Sequence, residues 1–163
     1  MADTLSLLGT LVGTRLQERG LVLTCAESCT GGWVAQTVTA VAGSSAWFDR
    51  GFVTYSNQAK QDMLGVPAAT LAQYGAVSEE TARAMAMGAL THSLAQVALS
   101  ITGIAGPSGG TPEKPVGLVC FGWADNKKKE ARTESVRFDG DREAVRRQAV
   151  IHALQGLLAL IAA

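Results

Sequence analysis

The sequence predicts an α/β protein, a three-layer α/β/α sandwich around a mixed sheet of about five strands. Two patterns carry that expectation: helix and strand signals alternate early in the chain, and two strand signals follow each other late, as in a hairpin. A third observation sets the scale, because 163 residues, 47% of them hydrophobic, suit one compact domain over 1–163. No internal repeat, low-complexity tract or long linker divides the chain.

The elements follow in order. Leu5, Leu8, Val12 and Leu16 recur at helical spacing and Gly20 stops them, which gives an amphipathic opening helix. Leu21 to Ala26 is a short apolar strand that runs through the turn Glu27 to Gly32 into a helix over Trp33 to Val41. Gly51 to Tyr55 reads as a second strand, and Ser56-Asn57 caps a helix from Gln58 to Leu64 that Gly65 and Pro67 end. Ser78 caps the next helix, to His92, with Glu79 and Glu80 in the first turn where the helix dipole favours acids.

A third strand covers Val97 to Thr102, and a glycine-rich loop runs from Gly103 to Pro115. Val116 to Ala124 and Glu130 to Phe138 form the hairpin, with Asp125-Asn126 and the cluster Lys127-Lys128-Lys129 at its solvated tip. A closing helix from Asp141 presents Val145, Ala149, Ile151, Leu154, Leu158 and Ile161 along one face, which should cover the sheet.

Charge and cysteine content narrow the function. Lys plus Arg and Asp plus Glu both number 14, so no overall field draws the chain to nucleic acid or an anionic membrane, and an anionic ligand must be held locally. Cys25, Cys29 and Cys120 are an odd number behind an N-terminus without a secretory leader, which points to a reducing, cytosolic compartment. No stretch reaches the roughly 20 apolar residues of a membrane span. Two scattered histidines and these cysteines supply no metal-ligand set, so no metal is expected.

Three polar clusters stand where strands end, the usual place for ligands in layered α/β sheets: Glu27 to Gly32, Tyr55 to Lys60, and Thr102 to Gly110. Ser28 at a strand-to-helix turn can expose its hydroxyl, and the N–H groups from Cys29 through Thr30, Gly31 and Gly32 suit a developing oxyanion. Taken locally, capping is the commoner role for Ser28 or Thr30, and no G-x-S-x-G signature is present. An amide demands a base, and His92 and His152 both sit within helical segments. Lys60 follows the second strand closely, and a buried lysine can lose enough basicity to accept a proton, although a solvated lysine is the commoner case. Tyr55 is placed to orient Lys60 or to donate to a reacting carbonyl, or simply to pack. The loop with Thr102, Gly103 and Gly106 can offer backbone donors to a phosphate but is a weak nucleotide motif. Arg142 at the last helix's start can clamp a phosphate, with solvation the alternative for it and for Arg146 and Arg147.

Taken together, the clusters resemble the family of the C-terminal domain of the competence and damage-inducible protein CinA, which includes nicotinamide-nucleotide amidohydrolases. The resemblance rests on Ala26-Glu27-Ser28-Cys29-Thr30-Gly31-Gly32, on Gly51 to Lys60 with Tyr55-Ser56-Asn57 inside, on Thr102 to Pro107 and on Gly110 to Gly117. It covers nearly the whole chain.

It implies hydrolysis of the carboxamide of nicotinamide mononucleotide to nicotinic acid mononucleotide and ammonia, in pyridine-nucleotide recycling and without a cofactor. It also implies Ser28 as nucleophile and Lys60 as base, with Ser45, Tyr55 and Thr102 lining the site and Arg142 reaching the phosphate. Ser108 stands where relatives often carry glycine and Leu118 where they often carry threonine, so a slightly different loop shape is expected. The extra N-terminal domain of longer members is missing, which favours the stand-alone enzymes.

Two other readings compete: a pyridine-nucleotide sensor without turnover, and an amidohydrolase whose nucleophile is Cys29, since a thiol beside a helix start can be activated. The expected partner is a small pyridine nucleotide, with neither nucleic acid nor membrane involved. A homodimer is the commonest assembly for such a chain.

Overall fold

The computed structural model of the protein describes residues 3–128 and 130–162; Met1, Ala2, Lys129 and Ala163 lie outside them. Asp3 caps α1 (Thr4–Arg19) by accepting the Ser6 N–H at 3.0 Å, and Gly20 closes it in the left-handed region at φ 64°. Strand β1 spans Leu23–Glu27 and starts later than the apolar run suggests, because the Gln96 side-chain carbonyl takes the Val22 N–H at 2.8 Å before the ladder begins.

After α2 (Trp33–Thr39) comes a short 3-10 turn at Ser44–Ala46, and then β2, which is Phe48–Val53 rather than Gly51 to Tyr55. The shift has a physical cause. The carbonyls of Thr54 and Tyr55 turn away from the ladder to accept from a side chain, so the strand ends before them. Ser56 caps α3 (Asn57–Leu64) with its hydroxyl 3.0 Å from the Ala59 N–H, as expected.

Gly65, at φ 69°, ends α3, and Pro67, which the sequence reads as a further stop signal, instead starts another helix, α4 (Ala68–Tyr74). Ser78 caps α5 (Glu79–Thr91), and β3 (Val97–Gly103) follows. The hairpin strands β4 (Leu118–Asp125) and β5 (Arg132–Arg137) are shorter than expected. Gly117, at φ 95°, gives its N–H to Ile104 rather than to the ladder. Lys127 and Lys128 turn back on Asp125, with N–H distances of 2.7 and 3.2 Å, as a hairpin tip; Lys129 is outside the described residues. Helix α6 (Arg142–Ala162) closes the chain.

The sheet runs β2-β1-β3-β4-β5, with β2, β1 and β3 parallel, β4 antiparallel to β3, and β5 antiparallel to β4. On one face, α1, α2 and α6 pack over Leu23, Cys25, Val97, Leu99, Ile101 and Phe121; on the other, α5 packs with α3 and α4 beside it. The mixed three-layer sandwich is as the alternation predicts.

Small residues set how close the layers come. A Cβ on Gly13 of α1 would meet the Trp47 ring at 2.6 Å, so a larger residue there would push α1 off the sheet. On the other face, alanines Ala82, Ala86 and Ala89 let α5 lie near enough for the Ser100 hydroxyl to donate to the Ala82 carbonyl at 2.6 Å. Among the described residues, no helix is long and apolar enough to cross a membrane.

Candidate active site

The parallel strands β2, β1 and β3 end side by side, and the polar clusters gather at that edge. Ser28 leaves β1 with its N–H still donating to the Ile101 carbonyl at 3.0 Å, which ties the following turn to the sheet. Gly31 and Gly32, at φ 60° and 106°, give that turn a shape a side chain would strain.

Two charged residues clamp the same turn. Glu27, 1% exposed, accepts the Thr30 hydroxyl at 2.6 Å and the Val34 and Ala35 N–H groups at 3.0 and 3.1 Å. Arg146 of α6 reaches in from the other layer, giving Nε to the Cys29 carbonyl at 2.9 Å and Nη2 to the Thr30 carbonyl at 3.2 Å, with its guanidinium 5.5 Å from the centre of the Trp33 ring. The Gly31 N–H goes to the Ser28 carbonyl at 3.1 Å. Among the described residues neither the Cys29 nor the Thr30 N–H donates to a backbone carbonyl.

Lys60, on the second turn of α3, is 1% exposed and enters from the opposite side. Its Nζ lies 3.0 Å from Ser28 Oγ, 2.9 Å from the Thr54 carbonyl and 3.3 Å from the Tyr55 carbonyl. Burial pulls the Lys60 pKa below its ordinary 10.5, and no ion pair holds it protonated among the described residues. With two backbone carbonyls occupying two of its hydrogens, a neutral Lys60 has its lone pair left for Ser28. The arrangement sets a serine hydroxyl beside a buried lysine amine whose basicity burial lowers.

Above this pair lies a cavity of about 240 Å³, lined by Ser28, Tyr55, Lys60, Thr102, Gly103 and Arg142 among others. Six of the residues singled out in the sequence therefore meet. Arg142 stands at the mouth and donates to the Gly106 carbonyl at 2.8 Å and to the Tyr55 hydroxyl at 3.5 Å. It has no carboxylate partner among the described residues, so its charge is open to an anion. Tyr55 contributes a carbonyl to Lys60, while its phenol, 65% exposed, borders the mouth.

Other expectations need correcting. Ser45 is exposed in the 3-10 turn before β2, at the edge of the sheet opposite Ser28, because β1 and β2 run parallel and only their far ends reach the site. The Thr30 hydroxyl points to Glu27, and Gly31 and Gly32 shape the turn without lining the cavity. Gly106 acts through its carbonyl on Arg142. The Thr102 hydroxyl donates to the Ala76 carbonyl at 2.8 Å and so holds the cavity's far wall.

The Cys29 thiol is not activated by its position. Burial outweighs the nearby Arg146 and pushes its pKa up to about 11. His152 pairs with Glu134 at 2.8 Å and packs on Phe121, and His92 ends α5, so both stay away from the site. Among the described residues, no group of three or more His, Cys, Asp and Glu is placed to hold a metal ion.

Glu27 and Arg146 are the site residues the sequence reading undervalued. A charge at the end of a short, mostly apolar strand, directly before a helix, signals the first; the second lies one helical turn beyond Arg142 on the same face.

Known proteins resemble this chain along nearly its whole length. Residues 6–161 match the family profile described as the CinA C-terminal domain. A protein of Escherichia coli strain K12 named nicotinamide-nucleotide amidohydrolase PncC is 59% identical over 146 residues, which cover 90% of this chain and 88% of that one. One of the same name from Pseudomonas putida is 51% identical over 158 residues, 97% and 98% of the two chains. The crystal structure of the competence/damage inducible protein CihA from Agrobacterium tumefaciens superposes with a TM-score of 0.94 at 46% identity, covering 98% of this chain and 97% of that one.

Proposed function

Since the chain belongs to the CinA C-terminal domain family, we propose that it hydrolyses the carboxamide of nicotinamide mononucleotide to nicotinic acid mononucleotide and ammonia, through Ser28 and Lys60. The observation that carries this reading is the buried Lys60 Nζ 3.0 Å from Ser28 Oγ, beneath a cavity whose mouth holds an arginine with no carboxylate partner among the described residues. The relatives named as nicotinamide-nucleotide amidohydrolases, at 51% and 59% identity, support the substrate and a place in pyridine-nucleotide recycling.

Chemistry follows from the positions. Neutral Lys60 takes the Ser28 proton as Oγ bonds to the carboxamide carbon, and the carbonyl oxygen becomes an oxyanion facing the Cys29 and Thr30 N–H groups. Lys60 then passes the proton to the amide nitrogen, the C–N bond breaks, and ammonia leaves an ester on Ser28. A water attacks that ester while Lys60 takes its proton, the C–O bond to Ser28 breaks, and the proton returns to Oγ. Arg142 suits the 5′-phosphate, whose two negative charges a guanidinium matches with parallel hydrogen bonds.

The test is ammonia release from nicotinamide mononucleotide by the purified wild type, Ser28→Ala and Cys29→Ala, with chelator present. The wild type is expected to turn over, Ser28→Ala to lose at least about 10³-fold, and Cys29→Ala to stay within about threefold. Binding without turnover in the wild type would replace this reading with that of a sensor, and loss in Cys29→Ala alone would move the nucleophile.

A further inference from the structure

Glu27 has no part in the proton transfers above, yet it is a carboxylate 1% exposed at the foot of the catalytic turn. Its partners are unusual for a buried acid. All three strong donors are neutral and lie just ahead of it in the chain: the Thr30 hydroxyl at 2.6 Å and the Val34 and Ala35 N–H groups at 3.0 and 3.1 Å. The first bond spans the turn itself, from the residue before Ser28 to Thr30 beyond Cys29. The other two fix the start of α2 against the end of β1.

Arg146 closes the other side. It draws the Cys29 and Thr30 carbonyls towards α6, at 2.9 and 3.2 Å. In a trans peptide the C=O of one residue lies antiparallel to the N–H of the next, so the pull on the Cys29 carbonyl governs where the Thr30 N–H faces, while the Gly31 N–H bond to the Ser28 carbonyl at 3.1 Å does the same for the Cys29 N–H. Those of Cys29 and Thr30 donate to no backbone carbonyl among the described residues. A turn held from one side only would be free to rotate its peptide planes, and a misplacement of about 1 Å can cost about a hundredfold in rate.

We infer that Glu27 is a positioning residue, which with Thr30 and Arg146 locks the peptide planes after Ser28 so that the Cys29 and Thr30 N–H groups are aimed at the oxyanion before substrate arrives. This rests on the reading of Ser28 as nucleophile. Preorganised donors act only as charge develops on the carbonyl oxygen, so their loss lowers kcat and leaves ground-state binding nearly unchanged. A capping role in stability alone would change the melting temperature and neither kinetic constant.

The experiment compares ammonia release by the wild type, Glu27→Gln, Thr30→Val and Thr30→Ser, with a thermal melt of each. Glu27→Gln keeps the shape of the side chain but puts an amide donor against the Ala35 or Val34 N–H. Thr30→Val removes the bond across the turn without touching the charge.

Glu27→Gln is expected to lower kcat about tenfold to a hundredfold with KM within about twofold. Thr30→Val should fall in the same direction, and Thr30→Ser should restore most of the rate. If Glu27→Gln fails to fold, Thr30→Val against Thr30→Ser decides alone. An active wild type with unchanged kcat in folded Glu27→Gln and in Thr30→Val overturns the inference and spares the reading of Ser28, as does a change confined to KM. An inactive wild type overturns both.

Discussion

Two hollows border the Ala76–Val77 segment, and the larger is the less equipped for chemistry. The cavity over Ser28 and Lys60 holds about 240 Å³, whereas its neighbour, beside the start of α5, holds about 660 Å³. Charged side chains line the larger one, including Glu79, Glu80, Arg83, Glu113 and Lys114. Its best-placed charges are already occupied. Glu79 accepts from Thr133 and Ser135 at 2.7 and 2.8 Å, and Lys114 donates to the Tyr74 carbonyl.

In the smaller cavity the reverse holds among the described residues: a buried lysine is aimed at a hydroxyl, two N–H groups of the turn donate to no backbone carbonyl, and an arginine has no carboxylate partner. Reactivity goes with unfinished interactions held in place, and volume is a poor guide to it.

The sharpest way to break that contrast is Lys60→Met, which fills similar space without a base. Ammonia release should fall by at least about 10³-fold; a variant keeping a tenth of the rate would remove Lys60 from the mechanism. Arg142→Ala comes next. Losing a charge-assisted hydrogen bond of about 1.5–3 kcal/mol should raise KM for the mononucleotide roughly tenfold to a hundredfold. The corresponding riboside, which has no phosphate, should be little affected, and an equal loss for both would take the phosphate away from Arg142.

A pH profile then reads the base directly. Lys60 works only when neutral, so kcat/KM should rise with pH through an acid limb, and burial sets that limb's midpoint below the ordinary 10.5. A midpoint at or above that value would show that burial does not govern it. The smallest effect belongs to the larger cavity. The Thr133 and Ser135 hydroxyls hold the Glu79 pKa below its usual 4.5, so its share of stability is present above that value and lost as pH falls through the lowered one. Glu79→Gln should therefore leave turnover within about twofold while making the melting temperature less sensitive to acid.

Much of the fold was legible because periodicity and caps are local. Asp3, Ser56 and Ser78 cap helices in the structure, and the last two were readable from the sequence. What escaped depended on competition between partners. Helix α4 stayed hidden because Pro67 serves equally as an end and a beginning, and β2 stopped early because Lys60 attracts the Thr54 and Tyr55 carbonyls.

Within the site, Ser28, Lys60, Thr102 and Arg142 were readable as polar residues at strand ends and at a helix start. Ser45 was placed by resemblance alone, and the parallel pairing of β1 and β2 sends it to the far edge. Glu27 and Arg146 were harder because they act on backbone atoms, which no side-chain pattern records.

Arg146 bonds to a carbonyl 117 positions earlier in the chain. During synthesis, therefore, the serine turn emerges from the ribosome long before the residue that braces it. The surroundings of Ser28 and Lys60 are complete only once the last helix has docked and Arg146 has reached the turn. A product truncated before α6 would keep Ser28 and Lys60 but lose the Arg146 brace on the turn between them.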